Sequence, residues 1–298
     1  MEGDAALPGR GGSHGECVLT HHVFPFCHRI GNASLGSFTG SAHCSNAVFG
    51  VVFSDGFLPL RTLFTQVRQG GVNALVTVSA FDIEVSNLPN PNSLVGGDSQ
   101  QEGVSKVRGV ELEANALVGG LRLDGNVSYL DTEDPDGYRL TSIADWQASL
   151  FALYNFTGAL DGIVIGANYT FTDSDGTVTL EAAEGPRSIT LPTTSRHTGN
   201  LSLGYDKGPI DVRLSGTYRD KYLDELSPEP ELDRYVDDHF QLDLSAKYRF
   251  NDKVQLFYEW VNINNAKYFA YNNLGDRRNI YQYEENNWTM KAGVRMTF

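Results

Sequence analysis

Apolar and polar residues alternate along most of this 298-residue sequence. From residue 70 onward the pattern repeats with period two and predicts ten strands: 72–84, 108–118, 121–130, 146–156, 162–172, 196–206, 209–219, 238–250, 253–261 and 288–298. A period of two sends successive side chains to opposite faces. In the last strand, "WTMKAGVRMTF", one face holds Trp288, Met290, Ala292, Val294, Met296 and Phe298. The other holds Thr289, Lys291, Gly293, Arg295 and Thr297. The ten strands run 9 to 13 residues. A tilted strand needs about that length to cross a bilayer, and an average globular strand is roughly half as long.

The connections carry a second pattern. "GG" (119–120), "TGALD" (157–161), "KG" (207–208) and "ND" (251–252) alternate with the long segments 131–145, 173–195, 220–237 and 262–287. Membrane barrels sort their connections this way, with tight turns on one side and long loops on the other.

The faces differ in charge. In the last nine strands the greasier faces include Val110, Leu112, Ala114, Ala116 and Val118, then Ile163, Ile165, Ala167, Tyr169 and Phe171, and none of the nine carries Asp, Glu, Lys or Arg. The opposite faces carry Glu111, Glu113, Arg122, Asp124, Asp211, Arg213, Arg219, Asp243, Lys247, Arg249, Glu259, Lys291 and Arg295. A soluble barrel or sandwich would turn the grease inward, and periodicity alone does not say which face is inside. The aromatic residues decide. Tyr154, Phe156, Tyr205, Tyr248 and Phe250 fall at the short-turn ends, and Tyr129, Tyr169, Phe171, Tyr218, Tyr258, Trp260 and Trp288 at the long-loop ends. Two such girdles mark the two interfaces of a membrane. The expected fold is therefore all-β, an antiparallel transmembrane β-barrel.

Composition narrows the remaining classes. A net charge of −14 without a basic stripe argues against nucleic acid. No run of about 18 apolar residues predicts a membrane helix, and "MEGDAALPGR" lacks the basic start of a signal peptide. Cys17, Cys27 and Cys44 and five of the seven histidines crowd into the first 44 residues, yet no C-x-x-C or H-x-x-x-H pair supports a zinc site. We expect residues 1–65 to be a non-homologous segment, disordered or mistranslated, and residues 66–298 to be barrel; no cofactor or metal is expected.

Candidate chemistry sits in the long loops. "VDDHF" places Asp237, Asp238 and His239 together, but consecutive strand residues point to opposite faces and do not converge on one water. "TEDPDG" (132–137) and "TDSDG" (172–176) share a D-x-D-G core with calcium loops, but Ile143 and Ala182 stand where the bidentate Glu belongs. Both read as polar turns. No catalytic residue is expected. Residues 220–238 hold eight acids against Lys221 and Arg234, with Tyr222 and Tyr235 beside them. Residues 262–287 hold Tyr268, Phe269, Tyr271, Tyr281, Tyr283, Arg277 and Arg278, and the flanks of this segment are expected to extend the last two strands. The expected ligand-contact residues are Tyr222, Asp224, Glu225, Tyr235, Tyr271, Arg277 and Arg278. The acid excess favours a cationic or polyhydroxy ligand over a bare anion.

Four blocks, "SKVRGVELEANALVGGLRLDGNVSYLDTED" (105–134), "RHTGNLSLGYDKGPIDVRLSGTYRDKYLDEL" (196–226), "DRYVDDHFQLDLSAKYRF" (233–250) and "LFYEWVNINNAKYFAYNNLGDRRNIYQYEENNWTMKAGVRMTF" (256–298), resemble the C-terminal half of TonB-dependent outer-membrane receptors. The sequence is most similar to those of Caulobacter, Xanthomonas and sphingomonads. The resemblance implies a cell outer-membrane location and a 22-stranded barrel around a plug. It also implies uptake of ferric siderophores, vitamin B12 or oligosaccharides, energised by TonB with ExbB and ExbD. The expected partners are outer-membrane lipid, the barrel-insertion machinery, TonB acting through a plug and TonB box, and the ligand itself. Phe298 resembles the terminal aromatic that signals barrel assembly. Neither plug nor TonB box is present in these residues, so the expectation is the C-terminal barrel portion of a longer receptor. The competing expectation is a self-contained ten-stranded barrel, either a hydrolase or a narrow channel, in which 72–84 pairs with 288–298.

Overall fold

The computed structural model describes residues 22–25, 46–53, 61–86, 103–140, 143–178 and 185–297. In chain order the strands are β1 (His22–Pro25), β2 (Asn46–Phe53), β3 (Arg61–Gln69), β4 (Val72–Ser86), β5 (Val104–Val118), β6 (Leu121–Glu133), β7 (Trp146–Asn155), β8 (Ile163–Asp173), β9 (Gly176–Val178) and β10 (Arg187–Ile189). They continue as β11 (His197–Lys207), β12 (Ile210–Arg219), β13 (Tyr222–Glu225), β14 (Arg234–Val236), β15 (His239–Asn251), β16 (Val254–Val261), β17 (Tyr268–Asn272), β18 (Asn279–Glu284) and β19 (Thr289–Met296). Among the described residues no helix is long and apolar enough to cross a membrane.

Thirteen strands form one sheet in the order β1-β2-β3-β4-β5-β6-β7-β8-β11-β12-β15-β16-β19. Each neighbouring pair is antiparallel. The ten strands read from the sequence are all in this wall, as β4 to β8, β11, β12, β15, β16 and β19. The alternation did not mark β1, β2 or β3. In β3 the Leu63, Thr65, Val67 face is opposed by a face that carries Phe64, so the apolar signal falls on both sides. Among the described residues β4 pairs with β3 and with β5, and β19 pairs with β16 alone, so the competing closure of 72–84 onto 288–298 does not occur. Most of residues 1–65 lie outside the described residues, as does Phe298.

Register aligns the apolar positions across the wall. Val110 stands between Ala80 and Tyr129, Leu214 between Leu203 and Leu244, and Leu256 between Tyr248 and Val294. These side chains are bare: Leu201 is 62% exposed and Phe250 59%. Covering a Leu or Phe side chain with an apolar phase is worth roughly 1.5–3 kcal/mol, so a belt of this extent requires lipid rather than water against it. The opposite face is polar. Arg122 donates to Asp124 at 2.7 Å and Lys247 to Asp211 at 2.9 Å, and Thr217, Asn200 and Asn168 form a relay of 2.7 Å bonds across three strands. Aromatic pairs cap the belt, with Tyr154 against Phe156 and Tyr248 against Phe250 at the turn end. Tyr129 against Trp146 and Trp260 against Trp288 do the same at the loop end.

The short turns rely on glycine. Gly119 adopts φ +56°, and a Cβ on Gly120 would stand 2.3 Å from the Asn155 carbonyl oxygen, so the β5–β6 turn admits no side chain at its second position.

Candidate functional site

Every buried apolar residue among those described lies at the long-loop end: Leu140, Val178, Ile189, Leu223, Val236, Ala270 and Tyr271. A membrane wall has grease on one face and water on the other, so a dry core forms only where loops stack on one another. Here they do. β13, β14, β17 and β18 form a second, four-stranded antiparallel sheet. Its order follows that of β12, β15, β16 and β19, the wall strands from which its members rise. Tyr235 pairs with Tyr271 and Val236 with Ala270, which fastens the 220–238 loop to the 262–288 loop.

Local sequence sets the departure from the wall. Asn262 adopts φ +58°, a left-handed conformation that Asn tolerates better than most residues. Its buried amide donates to Ala266 O at 3.2 Å and Asn287 O at 3.0 Å and accepts from Ala266 N. Asn264 then mimics a strand residue, accepting from Leu242 N and donating to Phe240 O. The "VNINN" run thus ends β16 and re-aims the chain into β17.

The third loop joins through a charge. β9 and β10 form a hairpin whose Val178 and Ile189 pack with Leu223, Leu226 and Tyr235. Arg187 on β10 donates from both terminal nitrogens to Asp233, at 2.9 and 2.8 Å, and to the Ser227 carbonyl at 2.7 Å. Nothing in the sequence pointed to Arg187, because its partner is 46 residues away.

Five of the seven expected contact residues, Tyr222, Asp224, Glu225, Tyr235 and Tyr271, lie on this sheet, and Arg277 and Arg278 lie in the turn between β17 and β18. Their environments differ. Tyr271 is 4% exposed, stacked on Tyr235 and Phe269, with the Arg278 guanidinium 3.9 Å from its ring centroid. Arg278 also donates to Asp237, whose carboxylate raises its pKa. Arg234 donates from Nε to Asp224 at 2.6 Å, pairs with Glu225 at 3.0 Å and lies over the Tyr281 ring; the Asp224 bond likewise raises its pKa. Burial, and then the Asp224 charge, raises the Tyr268 hydroxyl. Arg277 and Glu225 are exposed.

The acid excess of the 220–238 loop is therefore partly absorbed. Asp224, Asp233 and Asp237 are taken by Arg234, Arg187 and Arg278. The "VDDHF" residues do not assemble: the His239 ring nitrogens face the Lys267 carbonyl and Gln241, while Asp237 turns to Arg278. The first D-x-D-G segment is a turn as expected, whereas the second is not: it is the end of β8 and the start of β9, with Ser174 and Asp175 between them. Asp134 accepts the Asp136 and Tyr138 amides, and Asp173 pairs with Arg196. Among the described residues no group of three or more His, Cys, Asp or Glu is placed to hold a metal.

Comparison with known proteins agrees with this architecture. The family described as TonB dependent receptor-like, beta-barrel matches residues 64–179 and 155–274, more than half of the chain. No curated protein matches the sequence. Among solved structures the chain is similar to the ferric-catecholate import receptor Fiu from E. coli K12, with 13% identity and a TM-score of 0.51, over 85% of this chain and 44% of that one. It is also similar to the siderophore receptor PiuA from Acinetobacter baumannii, with 13% identity and a TM-score of 0.33, over 84% and 55%. The chain thus spans less than half the length of Fiu, and the likeness is one of fold. The protein belongs to the TonB-dependent receptor-like β-barrel family.

Proposed function

We propose that these residues form part of the wall and three external loops of an outer-membrane active transporter. The cargo is a large nutrient, a ferric siderophore or an oligosaccharide, and transport is energised through TonB with ExbB and ExbD. The observation that carries the reading is the sheet β13-β14-β17-β18, which gathers the tyrosines and arginines of two loops above a wall with a lipid-compatible belt. In this reading Tyr222, Asp224, Glu225, Tyr235 and Arg277 touch the ligand, and the Tyr271–Arg278 stack holds the turn that presents Arg277. The barrel-insertion machinery reads Phe298, and outer-membrane lipid covers the apolar belt.

Uptake by cells carrying the gene tests this. A ⁵⁵Fe-loaded catecholate and a radiolabelled malto-oligosaccharide are supplied separately, with and without a protonophore. One label should accumulate in wild-type cells only, stop with the protonophore, and fall roughly tenfold with Arg277→Ala at limiting concentration, as expected for about 1.4 kcal/mol of lost contact. Equal accumulation of both labels with and without the gene would count against the reading.

A further inference from the structure

The polar face of the wall is not uniformly charged. Midway along β6, β7, β8 and β11 it consists of amides and hydroxyls. Asn126, Ser149, Asn168 and Asn200 stand on the side opposite the bare Val127, Leu150, Ile165 and Leu201 of the lipid belt. Register sets them in one band, with Asn126 opposite Ser149 and Asn168 opposite Asn200. They line a concavity of about 560 Å³. Glu113 and Asp124 bound it on one side, and Phe151, paired across the sheet with both Asp124 and Asn168, places an aromatic ring at its centre. Toward the short turns it adjoins a hollow of about 310 Å³, where Phe151, Leu153 and Val164 lie beside the bare backbone of Gly166 and Gly204.

Two hydrogen-bond relays enter the concavity from opposite sides. Ser149 Oγ donates to Asn126 Oδ1. From the other side Thr217 Oγ1 donates to Asn200 Oδ1, and Asn200 Nδ2 to Asn168 Oδ1, at 2.7 Å each. Both relays end by using an amide oxygen, which leaves the Nδ2 groups of Asn126 and Asn168 without a protein partner among the described residues. Each keeps two N–H donors. Acceptors stand close by in the Glu113 carboxylate and the second oxygen of Asp124. No described Lys or Arg lines the concavity. Arg122 is already held by Asp124 at 2.7 Å and lies 5.6 Å from the Phe151 ring centroid. An anionic ligand would meet two carboxylates here and no unpaired cation. A sugar hydroxyl both donates and accepts, and a sugar ring has C–H faces that suit an aromatic surface.

We propose that this concavity is a saccharide subsite on the wall, separate from the loop sheet, and that the cargo is a neutral oligosaccharide. The inference rests on the transporter reading and narrows it to one of its two cargo classes. Asn126 and Asn168 donate to hydroxyl oxygens, Glu113 and Asp124 accept hydroxyl protons, and Phe151 lies against the C–H groups of the ring.

Outer membranes from cells carrying the gene are equilibrated with a labelled mixture of malto-, cello- and xylo-oligosaccharides, and separately with the ⁵⁵Fe-loaded catecholate. The unaltered protein should retain a saccharide. Asn168→Leu and Glu113→Gln should each raise its half-saturation concentration roughly tenfold, as expected for one lost hydrogen bond to a ligand. Arg249→Gln, on the same face of the wall but outside the concavity, should leave it unchanged. Half-saturation does not depend on how much protein is assembled, so a lower yield of either variant does not mimic the effect. Retention of the catecholate without any saccharide, or saccharide half-saturation unchanged in both variants, would overturn the subsite and leave the transporter reading standing. Retention of neither label would overturn both.

Discussion

Arg187 and Asp233 meet in a two-pronged ion pair that ties the β9–β10 hairpin to the loop leading into β14. Their side chains are 17% and 4% exposed, so the charges are largely withdrawn from water. Asp233 is further held by the Ser227 amide at 2.8 Å. Breaking such a pair from one side costs about 3 kcal/mol, because the remaining carboxylate stays buried without its partner. Arg187→Ala should speed amide exchange in β10, β13 and β14 by roughly a hundredfold while β11 and β12 are unchanged. Uniform exchange across all five strands would show that the clamp is idle.

The β5–β6 turn should not accept a side chain. Gly120→Ala drives a Cβ into the Asn155 carbonyl, which also accepts no shift without disturbing the Asn155 N to Gly120 O bond of 2.9 Å. We expect about 2 kcal/mol of lost stability, read as a lower urea midpoint of the membrane-assembled protein. Gly119→Ala is strained differently, by φ alone, and should cost about 1 kcal/mol.

Glu285 accepts from Lys267 and Tyr283, and these bonds hold its carboxyl below the usual 4.5 while raising Lys267. The sign follows from the depressed value. Whatever this contact contributes to loop order is present above the unfolded carboxyl range and is lost as pH falls through the lower folded value. A carboxyl NMR titration should give a Glu285 midpoint below 4.5 that moves up in Lys267→Met. A midpoint at or above 4.5 in the unaltered protein would contradict the pairing.

Phe298 is the remaining sequence-derived candidate. Its removal should lower the amount of protein assembled in the outer membrane several-fold without changing synthesis, measured by immunoblot of membrane and total fractions. Unchanged membrane levels would remove it as an assembly signal.

The sequence by itself determined ten of the thirteen wall strands. A period of two over 9 to 13 residues, charge confined to one face and aromatics at both ends gave ten strands, their direction and their lipid side, because lipid contact writes one side chain in two in grease. It did not mark β3, where Phe64 and Leu63 fall on opposite faces and cancel the signal. It also located the two loops that meet above the wall, but the aromatic residues of 262–287 do not extend β16 and β19 as expected: β16 ends at Val261, β19 begins at Thr289, and between them β17 and β18 join a separate sheet.

Only the tertiary structure decided what those loops do with their charges. Eight acids between residues 220 and 238 suggested a surface for cations. Arg187, Arg234 and Arg278 instead neutralise three of them, and one of these arginines comes from a loop 46 residues away. Pairing of that kind depends on which backbones lie side by side, and a period along one strand carries no information about a partner on another.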